Sequence, residues 1–378
     1  MEKNMIETEI ILDKTNPEVE KEQGIDSKIV KPYNPKDVDI SVKQLSLDNI
    51  IKRIKHDEID FFTDFQRKED LWEPGNQSRL IESILIRFPL PAFYFDATND
   101  NKWVIVDGLQ RLCSIRNFVV NKNLILTGLE YLEKFEDKSY DELPRELQRR
   151  IEEANITAYL INPGTPPEVK YNIFKRINTA GLILEPQEIR HAINYGAPAK
   201  FIEELSQMEE FKKATCYSIR SERMQDRDFV TRFVSFYINS YEEYEPSLDD
   251  FLNKGMQNIR RLADLEKDSL KTDFKKAMIL STEIFGDDAF RKRFDEEHNR
   301  KPINKALFDT ISVNFSKLPF QDANKLKLKK NQFKKKFIDL MNEKEFLDSI
   351  TSATGDKNNV ATRFKKFGEV IKEVLNDN

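Results

Sequence analysis

The stretch KWVIVDGLQRLCSIRNF, from Lys102 to Phe118, predicts a strand, a tight turn and a helix in immediate succession. The residues before Asp107 are apolar and β-branched, which is typical of a buried strand. Gly108 permits a tight turn and lets another group approach the backbone closely. From Leu109 to Val120 apolar residues return at helical spacing. The predicted strand therefore delivers an acid, a glycine and an arginine to one turn.

Three side chains at this turn suit an anionic ligand and its metal ion. Arg111, in the first helical turn, is a forked donor that matches phosphate, and Gln110 can donate or accept. The first N–H groups of a helix add a positive dipole end. Asp107 can hold a metal ion such as Mg²⁺, orient a water molecule or cap the helix. The turn thus predicts a nucleotide phosphate cradle, with a plain turn and cap as the alternative.

Polar turns that carry arginine recur at three other places in the first half of the chain. They lie in DFQRKEDLW, in EPGNQSRLIESI and in FKRINTAGLILEPQEIRHAI. Together with the turn at Gly108 they could converge on one anionic ligand, whereas isolated surface salt bridges are the alternative for each of them. The further candidate nucleotide-binding residues are Gln66, Arg67, Gln77, Arg79, Arg176 and Asn178.

The pattern around these turns predicts an α+β half followed by an all-helical half. AFYFDATNDNKWVIVDG predicts a β-hairpin, ITAYLIN a strand, and SLDNIIKRIKHDEI a short helix with Ser46 as its N-cap. After about residue 195 only helical patterns continue. Residues 1–36 are polar and lack sustained periodicity, which predicts a flexible arm. The expected domains are therefore this arm, an α+β domain over 37–198 and a helical domain over 199–378.

Composition limits the class of protein and its compartment. The chain has 378 residues and a net charge of −5, which argues against non-specific coating of nucleic acid. A local basic patch remains possible, and Lys334, Lys335 and Lys336 are its candidate DNA-binding residues, with a solvated helix face as the alternative. The sequence has no run of eighteen apolar residues, so no membrane span is predicted. The acidic N-terminal stretch does not resemble a signal peptide. Two cysteines fit a reducing cytoplasm.

The same residues resemble the GmrSD-type N-terminal domain family, within the ParB/sulfiredoxin-like superfamily. That family has a strand, then Asp-Gly-Gln-Gln-Arg, then a helix. Asp107, Gly108, Gln110 and Arg111 match this pattern, and Leu109 replaces the first glutamine. QSRLIESILIRFPLPAFYF, FKRINTAGLILEPQEIRHA and ERMQDRDFVTRFVSF resemble further segments of the family, so the resemblance runs roughly from residue 40 to 240.

The resemblance implies a ParB/sulfiredoxin-like fold that binds a nucleoside triphosphate through the Gly-x-x-Arg turn. It also implies a role in bacterial defence against phage, in which modified DNA is sensed and triphosphate hydrolysis is coupled to cleavage. Sulfiredoxins carry a catalytic cysteine after this glycine, so Leu109 argues against their chemistry. Cys113, further along the helix, is expected to be a core thiol.

The leading hypothesis is a nucleotide-binding switch with weak NTPase activity, catalysed through Asp107 and Arg111, in DNA defence. Only His56, His191 and His298 are available, and none lies in a cluster that would support an HNH nuclease domain. One alternative is a metal-dependent DNA nuclease that uses Asp107. Another is a non-enzymatic module that binds DNA or a partner. The expected partners are a nucleotide, duplex DNA, and a separate nuclease subunit or a second copy of the chain.

Overall fold

The computed structural model describes residues 17–22, 38–61, 72–177, 184–297 and 299–377. The chain forms two compact units. One is Tyr33–Leu184, called the sheet unit below, and the other is Met1–Pro32 together with Glu185–Asn378, called the helical unit. An α+β half followed by a helical half is therefore confirmed. The change of unit at residue 185 precedes the predicted boundary, because the helix that follows packs with the helical unit.

The sheet unit contains a five-stranded sheet in the order β1-β5-β3-β4-β2. Strands β3 and β4 are antiparallel neighbours, which confirms the predicted hairpin, and β3 runs parallel to β5. The first two strands were not predicted, because β1 is an edge strand with an exposed middle and β2 has only two residues. The strands are β1 (Ile40–Ser46), β2 (Ile59–Asp60), β3 (Phe93–Asp96), β4 (Trp103–Asp107) and β5 (Asn155–Ile161).

Five α-helices accompany this sheet in the described part of the unit. Ser46 caps the first of them as predicted, since its Oγ accepts from the N–H of Asn49 at 3.4 Å. The third helix buries Leu112 and Ile115 completely and continues as a π-helical turn over Arg116–Val120. The helices are α1 (Leu47–Lys55), α2 (Pro74–Leu85), α3 (Leu109–Ile115), α4 (Arg145–Glu152) and α5 (Pro167–Ile177).

The helical unit packs its helices around a core that is rich in phenylalanine. The rings of Phe229 and Phe308 meet edge to face at 5.0 Å, and Phe233 lies 4.6 Å from Phe274. The helices are α6 (Pro186–Ile193), α7 (Ala197–Ser206), α8 (Glu209–Ala214), α9 (Gln225–Ile238), α10 (Leu248–Ile259), α11 (Asp264–Phe285), α12 (Lys305–Ser316), α13 (Phe320–Leu328), α14 (Lys330–Met341), α15 (Lys344–Thr351) and α16 (Lys357–Asn376).

Residues 17–22, called the acidic segment below, lie in the helical unit and depart from the predicted flexible arm. Val19 is fully buried and forms a bridge with Ile303. Glu20 pairs with the ammonium of Lys292 at 2.9 Å, and both oxygens of Glu22 accept from Arg232 at 2.9 Å. The composition of this stretch is polar, but Glu20 and Glu22 form ion pairs with the buried side chains of Lys292 and Arg232. This pairing offsets the conformational entropy that is lost when the stretch is ordered.

Arg232 is the centre of a buried ion cluster in the helical unit. Its guanidinium also donates to both oxygens of Asp309, at 2.9 and 2.6 Å, and Asp309 lies 3.7 Å from the guanidinium of Arg363. All three side chains are at most 2% exposed. Charges removed from water to this extent are tolerated only when each has an opposite partner. The cluster therefore joins α9, α12 and α16 to the acidic segment.

Asp228, one turn before Arg232 on α9, links a further pair of cations. Its carboxylate accepts from Arg190 at 3.0 Å and from Lys305 at 2.8 Å. Burial alone would raise the pKa of Asp228, but these cations and Arg232 outweigh burial and hold the pKa well below its usual range. Because the folded-state pKa is depressed, this carboxylate contributes stability above its unfolded pKa, and the contribution is lost as the pH falls.

Candidate functional site

The predicted strand–turn–helix is present, and Gly108 is the residue that its geometry requires. Gly108 has a φ of +101°, in the left-handed region that favours glycine. A Cβ on this residue would lie 2.6 Å from Cδ1 of Phe93, which is inside van der Waals contact. Gly108 is also the N-cap of α3, so Asp107 precedes the cap rather than forming it. The cap alternative for Asp107 is thus wrong.

Arg111 ties this turn to the beginning of β3. Its Nη2 donates to Oδ2 of Asp107 at 2.8 Å and to the carbonyl of Ala92 at 3.2 Å. Its Nη1 donates to the carbonyls of Pro91 and Ala92, and the guanidinium lies over the ring of Phe93, 4.4 Å from its centroid. The side chain is 12% exposed. Burial lowers the pKa of the Arg111 guanidinium, and Asp107 opposes that shift.

Two of the predicted glutamines meet at the backbone of Trp72, where the described chain resumes after residue 61. Oε1 of Gln110 accepts from the N–H of Trp72 at 3.2 Å, and Nε2 of Gln77 donates to its carbonyl at 2.8 Å. Asn117 donates in turn to Oε1 of Gln77 at 3.1 Å. Asn117 was not predicted, although it lies seven residues after Gln110 and so on the same helical face. These amides position the chain that leads into α2.

Two tyrosines that sequence reasoning missed extend the site across the sheet. Tyr94 pairs in register with Asp107 on β4 and with Tyr159 on β5. The two rings stack nearly parallel at 4.7 Å. Burial, Tyr159 and the charge of Asp107 raise the pKa of Tyr94. Both tyrosines are partly exposed between buried neighbours on their strands, and that alternation is the signal which could have identified them.

Comparison with known proteins assigns this part of the chain to a family. Residues 47–195 match the family model described as the GmrSD restriction endonuclease, N-terminal domain. These residues are a GmrSD N-terminal domain. The match confirms the resemblance found in the sequence and indicates a restriction or phage-defence setting. It covers less than half of the chain, and it extends past the sheet unit to include α6. Searches of curated proteins and of solved structures gave no match.

Two of the remaining candidate residues of the GmrSD N-terminal domain, Arg79 and Arg176, do not contact Arg111. Arg79 is 58% exposed, and its Nε lies 3.6 Å from Glu130. Arg176 is exposed in the last turn of α5. Within the described ranges neither arginine forms a hydrogen bond or ion pair with Arg111. Gln66, Arg67 and Asn178 lie outside the described residues, so their place in the site stays a prediction.

Asp107 is not part of a metal-binding cluster among the described residues. Among the residues that the structure describes, no group of three or more histidine, cysteine, aspartate or glutamate side chains could hold a metal ion. Mg²⁺ is often bound through one or two carboxylates, with phosphate and water as its other ligands. Asp107 therefore fits Mg²⁺ bound together with a nucleotide better than a metal held by protein alone. His56 is the C-cap residue of α1, and His191 lies on α6. His298 is outside the described residues.

The predicted lysine patch lies on α14 of the helical unit, outside the GmrSD N-terminal domain. Lys336 pairs with Glu373 at 2.9 Å, while Lys335 is exposed. Burial lowers the pKa of Lys334, and the nearby cations Arg293 and Lys330 add to the shift. Contact of these lysines with DNA stays a prediction.

No helix in the described part of the chain has the length and apolar character needed to cross a membrane.

Proposed function

We propose that the GmrSD N-terminal domain binds a nucleoside triphosphate at the Asp107–Arg111 turn and acts as a nucleotide-dependent switch in DNA restriction. One observation carries this proposal. A carboxylate and an arginine meet at a turn that only glycine can form, and a glutamine of the same turn holds the backbone of Trp72. A bound anion at this turn would therefore act on two neighbouring segments of the domain at once.

Arg111 supplies a mechanism for switching. In the structure its guanidinium donates to two neutral carbonyls, Pro91 and Ala92, and to Asp107. Hydrogen bonds between charged partners are roughly twice as strong as neutral ones. A phosphate group can therefore compete for the guanidinium, and the carbonyls before β3 would be released. The position of the chain before β3 would then depend on whether nucleotide is bound.

We assign hydrolysis of the bound triphosphate to Asp107. Mg²⁺ held there would neutralise phosphate charge during hydrolysis. Asp107 itself would orient that ion, and its bond to Arg111 keeps the carboxylate aimed across the turn. The rate is expected to be low, since Asp107 belongs to no group of three or more metal-binding side chains among the described residues. We propose that a separate nuclease subunit, or duplex DNA bound by the helical unit, receives the signal in the cytoplasm.

Triphosphates should raise the melting temperature of the protein, and Arg111→Lys should weaken their binding. Lysine keeps the charge but loses the planar fork, so we expect a loss of about 1.5–3 kcal/mol in binding free energy. Arg111→Ala is less informative because it also leaves the carbonyls before β3 without their donor. The measurement is a thermal-shift panel over ATP, GTP, CTP and UTP, with and without Mg²⁺. Arg145→Lys, an exposed arginine paired with Glu152, is the matched control.

The fluorescence of Trp72 gives a second test of the same proposal, and this test does not depend on the melting temperature. The chain has two tryptophans, and in a Trp103→Phe background only Trp72 remains. Because Gln110 holds the backbone of Trp72, nucleotide binding at the turn should change the fluorescence of this residue. Equal triphosphate affinity in the wild type and in Arg111→Lys would contradict a phosphate contact at this arginine.

Asp107→Asn should retain triphosphate binding and lower hydrolysis by about a hundredfold, the lower range for loss of a positioned catalytic group. Asparagine can still accept from Arg111, so the turn should persist. Phosphate release and nicking of supercoiled DNA are measured on both proteins. Equal hydrolysis rates would exclude a catalytic role for Asp107. Metal-dependent nicking that disappears in the variant would instead favour the nuclease alternative, and DNA binding without any nucleotide binding would favour the non-enzymatic module.

A further inference from the structure

A cavity of about 480 Å³ lies in the sheet unit where α2 and α4 end and β5 begins. Its volume falls within the range that holds small-molecule ligands. One part of its wall is apolar and is formed by Ile84, Phe88, Pro89 and Ile156. Phe88 is 54% exposed and meets Tyr131 edge to face at 6.1 Å. The cavity therefore offers an aromatic surface on which a planar group can pack.

The charges that line this cavity favour an anion. Three arginines and two glutamates contribute, and one arginine is already neutralised, because Arg150 pairs with Glu146 at 2.9 Å. Arg87 and Arg149 line the cavity without an ion pair to any residue that the structure describes. The other carboxylate, Glu153, can accept hydrogen bonds from hydroxyl groups. Two guanidinium groups without a carboxylate partner thus face a cavity in a protein of net charge −5.

Arg87 occupies a backbone position that usually belongs to glycine. Its φ is +65°, directly after α2. The N–H of Phe88 donates to the carbonyl of Ser83 at 2.8 Å, and the N–H of Arg87 donates to that of Ile84 at 3.1 Å. This is the pattern of hydrogen bonds that closes a helix with a left-handed residue. Glycine suits this position better than arginine, so the Arg87 side chain can be removed by Arg87→Gly without strain on the backbone.

We propose that this cavity, called the arginine cavity below, binds a small phosphate ester with a planar group, which is the chemistry of a nucleotide. Arg87 and Arg149 would contact the phosphate, and Phe88 would pack against the base. Glu153 would accept from ribose hydroxyls. The ligand could be a free nucleotide or the phosphorylated end of a nucleic acid strand, since both carry these groups.

The arginine cavity is a separate site from the Asp107–Arg111 turn, but the two adjoin. Pro89 and Leu90 line the cavity, and the next two residues, Pro91 and Ala92, accept from Arg111. A ligand in the cavity therefore contacts the segment whose position Arg111 holds. This proposal does not rest on triphosphate binding at the turn.

The test measures binding by calorimetry on the full chain and pairs it with a melting curve. The probes are the four ribonucleoside 5′-monophosphates, inorganic phosphate and a 5′-phosphorylated dinucleotide. The variants are Arg87→Gly and Arg149→Gln. We expect each variant to weaken monophosphate binding by at least about tenfold, the scale of one lost charged hydrogen bond. Because glycine suits a left-handed position, Arg87→Gly should leave the melting temperature unchanged or raise it.

Lys122→Gly is the matched control within the sheet unit. Lys122 is also a basic residue with a left-handed backbone, at a φ of +56°, but it pairs with Asp141 at 2.7 Å and does not line the cavity. We expect this substitution to have a similar effect on the melting temperature and no effect on binding of the probes. Weaker binding together with unchanged or greater stability would therefore be specific to Arg87.

Each outcome bears on the proposal. Tighter binding of the dinucleotide than of monophosphates would identify a nucleic acid end as the source of the ligand, and the reverse would identify a free nucleotide. Wild-type protein that binds no probe below about 1 mM would overturn the proposal, as would equal affinity in wild type and Arg87→Gly. The arginine cavity is tested by the monophosphate affinity of Arg87→Gly, whereas the turn is tested by the fluorescence of Trp72 in Arg111→Lys. Failure at the turn and failure at the arginine cavity are thus distinguishable.

Discussion

Replacing Asp309 with alanine should lower the melting temperature of the helical unit by roughly 6–20 °C. The carboxylate accepts from Arg232 through both oxygens and lies 3.7 Å from Arg363. Without it Arg232 keeps its pair with Glu22, but Arg363 loses its ion-pair partner among the described residues in a region closed to water. Removing one partner from a buried ion pair costs about 3–5 kcal/mol, and a unit of this size melts about 2–4 °C lower per kcal/mol.

Differential scanning calorimetry of the full chain measures this effect. Asp339→Ala is the matched control, because Asp339 is an exposed aspartate on α14 of the same unit. Its substitution should change stability by no more than about 0.5 kcal/mol. Equal shifts for the two variants would mean that the buried ion cluster contributes no more than a surface charge.

Gly108→Ala should destabilise the sheet unit by roughly 2–5 kcal/mol. Two costs add here. Alanine is strained at a φ of +101°, and its Cβ would lie 2.6 Å from Cδ1 of Phe93. Phe93 cannot move freely, because it is fully buried and its ring lies against the guanidinium of Arg111. The strand, the turn and the arginine contacts should therefore be lost together.

Urea unfolding followed by tryptophan fluorescence measures this change, since both tryptophans, Trp72 and Trp103, lie in the sheet unit. Gly75→Ala is the control. Gly75 lies in the first turn of α2, and a Cβ there would meet no atom within 4 Å. This substitution should stabilise the unit by about 0.4–1 kcal/mol. A shift of the same sign in both variants would contradict a specific requirement for glycine at the turn.

The strand–turn–helix was predictable because its signals are local. Apolar β-branched residues, Gly108 and the helical spacing after it all lie within one short stretch, and each element favours the same structure. β1 gave no such signal, because an edge strand with an exposed middle lacks the alternation of a half-buried strand. Its place in the sheet comes from pairing with β5, more than a hundred residues later.

The same difference between local signals and contacts of distant segments explains which parts of the site could be predicted. Gln77 and Gln110 were expected near one another and do meet, although at the backbone of Trp72. The carbonyl partners of Arg111 were not foreseeable, since they approach it only through the hairpin of β3 and β4. The buried ion cluster was also missed. Arg232 sits in a run of α9 that is buried on every side, so helical periodicity could not separate a core position from a solvated one.

The acidic segment makes the sheet unit an insertion within the helical unit. During translation residues 17–22 are made first, but Asn304 and Thr354, which bond to Glu20 and Glu22, follow 284 and 332 residues after those glutamates. Domains generally fold as they are synthesised, so the sheet unit can fold while the first glutamates still lack their partners. A fragment that begins at Glu185 would keep every helix from α6 to α16 and lose the acids that pair with Lys292 and Arg232. We therefore expect the acidic segment, supplied on the same chain or as a peptide, to stabilise the helical half when that half is expressed alone.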